Sequence, residues 1–538
     1  MKKLSFILMI LFSVSAGALN VSDVERLAIQ DGGRIKPFDT FARESTQLIT
    51  GTQIHQGKNA TELVLSWLFL PDQWLVEKFI QVKHLQLKKE IGVAENQSYI
   101  SPDEIVHNPK LPQLFTQLAQ LQKEKKKLNP YFQALSRMNN QLVLYQEIIA
   151  GRAIKVLPQT LSSDWIAVAD LKGEPRELFA NLAKSYFPAI GNGDERAFHE
   201  AVKKFKDFAM AQTNSNYPSE SQIDQEIIYN SLHPFRLAYI FYFVAGLLFL
   251  LSLKFIKSMP WFYSSLGFAV TGFLIHAVGF GFRCVIAGRP PVSNMYESVI
   301  WVSAGCVFFG LVFEFIYRRR YIGLAAMMMA TIGLIIGDSV PAVLDQSIKP
   351  LEPVLRSNYW LTIHVLTITL SYAAFALSCG IGNIALSYYA RGKERENSEK
   401  LQALALFVYR AVQVGVLLLT AGTILGGVWA DYSWGRFWGW DPKETWALIA
   451  DLGYLAVLHG RFSGLLKTFG TIAASVGAFA GVIMAWYGVN FVLGVGLHSY
   501  GFGGGGVFYV TGVVVAQLLY IAWAAYQHHS VSANLKVS

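Results

Sequence analysis

The stretch Leu237-Ala-Tyr-Ile-Phe-Tyr-Phe-Val-Ala-Gly-Leu-Leu-Phe-Leu-Leu-Ser-Leu253 carries no charge and ends on Lys254. About 20 such residues in helical form cross the hydrocarbon of a bilayer. Runs of this kind recur to the end of the chain. They fall at approximately 237–256, 262–283, 299–317, 321–340, 359–389, 402–426, 444–460, 468–494 and 507–527. Composition agrees: of 538 residues, 53% are hydrophobic and only 15% charged, against roughly 25% charged in ordinary soluble domains. The fold class expected is an all-α polytopic membrane protein with about nine transmembrane helices.

Upstream, the chain is mixed and polar. Lys2 and Lys3, the apolar Leu4 to Val14, and Ala16-Gly17-Ala18 have the form of a signal peptide over 1–18. Residues 19–235 then read as a mainly helical extracytoplasmic domain, and 236–538 as the multi-span domain. The formal charge of +9 does not form a nucleic-acid stripe. With the first run starting outside, Lys254, Arg318–Arg320, Arg391–Lys400 and Arg461 all fall on the cytoplasmic side, as the positive-inside rule requires. The expected site is a bacterial inner membrane, with the loops near Arg289–Ser298, Asp338–Ser357, Val428–Lys443 and Gly494–Gly506 on the outer side. Cys284, Cys306 and Cys379 are widely spaced and read as packing residues rather than a disulfide or zinc framework.

The outer loop after the sixth run is the most informative. Five of the 13 tryptophans lie between Val428 and Trp446. Trp prefers the membrane interface, yet such a belt does not require Gly435 and Gly439 between the rings. Glycine permits close approach, so Trp434, Trp438 and Trp440 with these glycines favour an apolar shelf for a planar ligand. Asp441-Pro-Lys-Glu444 reads as a capping box that starts the seventh helix, which gives both carboxylates a structural explanation. Arg436, inside the segment, is a candidate for pairing with a ligand carboxylate or an ordinary interfacial arginine.

Four histidines lie in the membrane region: His276, His364, His459 and His498. Imidazole at membrane depth is a functional-site hypothesis by default. His364 and His498 are expected at the level of the tryptophans, where two neutral imidazoles suit axial ligation of haem iron. His459 lies seventeen residues beyond Pro442, about 25 Å deeper at 1.5 Å per residue, and would need a separate inner site. His276 is the weakest candidate.

Trp434-Gly-Arg-Phe-Trp438-Gly-Trp440-Asp441-Pro-Lys-Glu-Thr-Trp446 resembles the tryptophan-rich WWD signature of haem-handling proteins. Gly288-Arg-Pro-Pro-Val-Ser-Asn-Met-Tyr-Glu-Ser298 and Tyr487-Gly-Val-Asn-Phe-Val-Leu, followed by Leu497-His498-Ser-Tyr500, are similar to loops of the CcsA (ResC) family of system II cytochrome c synthases. Gly32-Gly-Arg-Ile-Lys-Pro-Phe-Asp-Thr-Phe-Ala-Arg-Glu44 resembles an extension ahead of the core in some members. The resemblance implies that His364 and His498 ligate haem b, the substrate, at the outer face, and that His459 ligates it within the membrane. It implies that segment 429–446, with Trp434, Arg436, Trp438, Trp440 and Asp441, presents haem to the CxxCH motif of an apocytochrome c. A separate ResB (CcsB)-like subunit is the implied partner. Thioether formation would then need no catalytic residue beyond haem presentation, since the cofactor carries the reactivity. Two other readings share parts of this pattern: a haem transporter or chaperone without ligation activity, and a non-haem structural membrane subunit.

Overall fold

The computed structural model describes residues 19–124, 126, 128–159, 162–212, 216–256, 259–340, 343–351, 357–494 and 506–537. The signal-like segment 1–18 and His498 lie outside the described residues. The chain divides into two compact units, Met1–Ser231 and Leu232–Ser538.

The first unit is mainly helical but is built around a small antiparallel sheet. Strands β1 (Ala28–Asp31) and β2 (Arg34–Pro37) form a hairpin, to which Lys155–Leu157 and Ile166–Ala167 add beside β1. Strands of two to four residues are too short for alternation to show in sequence. Its core centres on Trp67, stacked on Phe79 at 5.3 Å with Tyr145 edge-on at 6.0 Å. The Gly32–Glu44 motif supplies the hairpin and the helix after it. Its polar side chains grip the helix Glu220–Leu232. Arg34 donates to both Glu226 oxygens at 2.9 and 2.6 Å, Thr40 donates to Glu226 at 2.7 Å, and Asn230 donates to Asp39 at 2.9 Å.

The second unit is a helical membrane bundle. Its helices are α1 (Pro234–Lys254), α2 (Met259–Ala287), α3 (Met295–Tyr317), α4 (Tyr321–Ser339), α5 (Asn358–Tyr389), α6 (Ser398–Trp434), α7 (Pro442–Phe462), α8 (Thr468–Leu493) and α9 (Val507–Val537). Each coincides with one of the nine apolar runs. Eight are long and apolar enough to cross a membrane by composition. The exception, α7, has 21 residues but carries Lys443, Glu444, Asp451, His459 and Arg461 along its length. Of these, Lys443 and Glu444 in its first turn border the site described below.

Helix α5 is the hub, packing against α3, α4, α6 and α8. Phe375 on α5 stacks on Tyr454 of α7 at 3.8 Å, and Ser378 shares a hydrogen bond of 2.8 Å with Ser475 of α8. At the α3–α4 turn the basic cluster is partly structural. Buried Glu314 accepts the backbone N–H groups of Arg320 and Gly323, the latter at 2.9 Å, and Arg320 donates to the Ser252 carbonyl. The carboxylate thus satisfies amides that the start of α4 leaves without an intrahelical partner.

Candidate functional site

One cavity stands out, walled by the starts of α3, α5 and α7, the end of α6 and the end of α8. It encloses about 1160 Å³ of empty space, counting the part open to solvent.

His364 lines it. The residue sits where α5 widens into a π-helical turn, Leu361–Val365, a distortion frequent at functional sites. Its Nδ1 lies 2.8 Å from the Gly422 carbonyl. A carbonyl only accepts, so the proton is on Nδ1 and Nε2 is the basic nitrogen, the arrangement that orients metal-binding imidazoles. The seat depends on a missing side chain: a Cβ on Gly426 would lie 2.5 Å from His364 Cε1. Trp429, nearly buried on the last turns of α6, meets the ring edge-on at 5.7 Å and stacks on Trp360 at 6.4 Å.

The tryptophan-rich segment does not act as one shelf. Trp438 and Phe437 line the cavity, as does Trp429. Trp440 is 70% exposed, edge-on to Trp438 at 5.9 Å, with a left-handed backbone (φ 56°). Trp434 lies under the Arg436 guanidinium at 5.7 Å. Arg436 is turned to the loop and pairs with Glu444 at 3.7 Å. The capping box is present. Asp441 accepts the Lys443 backbone N–H at 3.0 Å, and Glu444 reaches back to the N–H groups of Asp441 (3.2 Å) and Gly439 (2.8 Å). Both carboxylates therefore shape the loop, and Glu444 also lines the cavity.

A second π-helical segment, Met484–Leu493, closes the opposite wall. It contributes Trp486, whose indole donates to Ser298 at 2.9 Å, and Asn490. Asn490 Oδ1 and Thr423 Oγ1 are buried at the cavity without a hydrogen-bond partner among the described residues. Buried polar atoms left in this state point to a ligand or water. The remaining wall, Val292 to Ser298, is pinned by a buried ion triad. Arg283 donates to Glu297 at 2.8 Å and Arg289 at 3.1 Å, while the second guanidinium nitrogens hold the carbonyls of Gln346 and Lys349.

The other histidines are elsewhere. His276 is fully buried between α1 and α2, its Nδ1 3.1 Å from the Tyr242 hydroxyl and its ring edge-on to Phe235 at 5.3 Å. His459 is exposed on α7, with Nδ1 2.8 Å from the Leu455 carbonyl. That contact again leaves Nε2 as the basic nitrogen. The structure does not bring His276 and His459 together: one is enclosed by α1 and α2, and the other faces out of the bundle. Sequence reasoning passed over Trp360, Phe437, Lys443, Trp486 and Asn490. Trp486 had a signal, since it adjoins the Tyr487 motif; Lys443 was hidden inside the capping box.

An imidazole oriented through Nδ1, aromatic walls and orphaned polar atoms suit a large flat ligand with a metal centre, which is the chemistry of haem. Residues 292–498 match the family described as Cytochrome C assembly protein. Cytochrome c biogenesis protein CcsA of Prochlorococcus marinus (strain NATL2A) is 36% identical over 246 residues, covering 40% of this chain and 78% of that protein. Protein NrfI of Wolinella succinogenes is 29% identical over 511 residues, covering 87% of this chain. The match takes in 53% of NrfI, so the chain spans about half of that relative's length. A solved structure titled Cytochrome c Heme Lyase CcmF aligns at a TM-score of 0.38 and 14% identity, over 57% of this chain and 51% of that one.

Proposed function

The chain belongs to the CcsA family of cytochrome c biogenesis proteins, and we propose that it holds haem b in the α5–α8 cavity and presents it to an apocytochrome c CxxCH motif. The observation that carries this reading is His364: an imidazole oriented by the Gly422 carbonyl, seated by Gly426 and edged by Trp429, in a cavity walled mostly by apolar and aromatic side chains. Its Nε2 supplies one axial position, and His498 the other. The aromatic walls would hold the porphyrin, and the site would keep the vinyl groups of the substrate where two acceptor thiols could add across them. Converting that encounter to a positioned one contributes on the order of 7–11 kcal/mol when the geometry is good. The protein acts as a holocytochrome c synthase in complex with a ResB-like subunit.

The basic residues at one set of helix ends support an inner-membrane orientation with the cavity and residues 19–235 on the outer side. His459 supports an inner haem position shared with the partner. Its ring is exposed on α7, accessible to an imidazole of another chain.

The test combines two readouts in a host without its own maturation system. Wild type with its partner is expected to mature a reporter cytochrome c and to purify with a Soret band. His364→Ala should lose both while remaining in the membrane, with partial recovery in exogenous imidazole. Wild-type maturation by His364→Ala would remove this cavity as the haem site.

A further inference from the structure

The cavity is walled mostly by apolar and aromatic side chains, yet haem carries two propionates, and a carboxylate moved from water into such a place is costly unless it is paired. Arg436 is the cation that the sequence offers for this. The structure gives it other work. Its guanidinium lies over Trp434, pairs with Glu444, and occupies the space above Gly439, where a Cβ would fall 1.1 Å from Nη1. Arg436 does not line the cavity.

Lys443 does. It is the one Lys or Arg among the described lining residues. The two neighbouring carboxylates have other contacts: Glu444 holds the loop amides through Oε2, while its Oε1 lies 3.7 Å from Arg436 without a hydrogen bond among the described residues, and Asp441 accepts the Lys443 backbone N–H. Among the described residues, no carboxylate lies within ion-pair distance of the Lys443 ammonium. Arg436 and Glu444 offset each other, whereas Lys443 has only the Coulombic influence of Asp441, without an ion pair to it among the described residues. It stands in the first turn of α7, where the helix dipole adds positive potential. A lysine is a compact point charge on a long flexible stem. It can meet one carboxylate at the cavity edge without demanding the planar geometry of a guanidinium.

We propose that Lys443 is the residue that recognises a propionate of the bound porphyrin, and that Arg436 is a clamp for the tryptophan loop. This rests on the cavity being the haem site. It adds a selection rule to that reading: the pocket prefers porphyrins with a free carboxylate over those without.

The experiment titrates the purified full-length chain, with its partner, with haem and with haem dimethyl ester, following the Soret band. The ester keeps the iron and the ring and removes only the charges. Wild type is expected to bind haem at least about tenfold more tightly than the ester, in keeping with a charge-assisted contact. Lys443→Met should lose that preference by weakening haem binding and leaving ester binding unchanged, while Lys443→Arg retains most of it. Arg436→Met should weaken both ligands alike, as a loop defect would. Equal affinity of wild type for the two porphyrins, or an equal loss of both in Lys443→Met, overturns the assignment of Lys443. A wild type that binds neither overturns the haem site itself, and the inference falls with it.

Discussion

Gly426→Ala separates the seat of His364 from the stability of the fold. The added Cβ would lie 2.5 Å from Cε1 and 3.0 Å from Nδ1 of the imidazole, so the ring or the helix must move. Overpacking of this kind costs about 1–3 kcal/mol. If the ring swings aside it also gives up the hydrogen bond to the Gly422 carbonyl, about 0.5–1.5 kcal/mol. Against these, alanine in a helix interior is favoured over glycine by about 0.8–1.0 kcal/mol. The net change in folding stability is therefore a loss of roughly 0.5–3.7 kcal/mol, and the displacement falls on the proposed axial ligand. Strain of 1–3 kcal/mol carried into binding corresponds to a loss of roughly fivefold to 150-fold in haem affinity. Soret titration in detergent measures that loss, and a thermal melt of the same sample measures the fold. Gly453→Ala on α7 is the control, since nothing lies within 4 Å of its Cβ position; it should bind normally. Gly426→Ala with wild-type affinity and an unshifted Soret maximum would refute the seat.

Other substitutions test the parts around it. Glu297→Ala leaves Arg283 and Arg289 buried beside each other, at a cost of about 3–5 kcal/mol, and should lower the thermal midpoint well beyond Glu297→Gln. Trp429→Ala removes a nearly buried ring that touches both His364 and Trp360, so stability should fall by about 3–5 kcal/mol together with haem content. Trp440→Ala, at an exposed ring, should leave the protein level unchanged in immunoblots. Asp441→Ala should act on the start of α7 at about 0.5–2 kcal/mol; full protein with no haem would instead assign that carboxylate to the ligand. His459→Ala should abolish only the haem that depends on co-expression of the partner, as read by pyridine haemochrome with and without it.

The membrane bundle was legible because eight of its spans are set by one local quantity, the length of an apolar run with few charges, α7 being the exception. The same simplicity explains what stayed hidden. The π-helical turns at Leu361–Val365 and Met484–Leu493 leave no mark in a hydropathy pattern. The short sheet strands of the first unit leave none either, because two residues cannot show a period. In the tryptophan segment, residue type identified the neighbourhood but not the direction of each ring. Trp429 is on a helix, where its face follows from the α5–α6 packing. From Gly435 to Asp441 the chain is irregular, and no period tells which ring turns inward. Trp438 therefore lines the cavity while Trp440, two residues on and left-handed at φ 56°, faces out. A similar division runs through Asp441-Pro-Lys-Glu444. The capping box accounts for the first and fourth residues from sequence alone, since both bond to backbone amides of their own turn. It says nothing about the third, whose ammonium bonds to neither cap. In a stretch where local structure explains every residue but one, the remaining one is where a ligand has something left to bind.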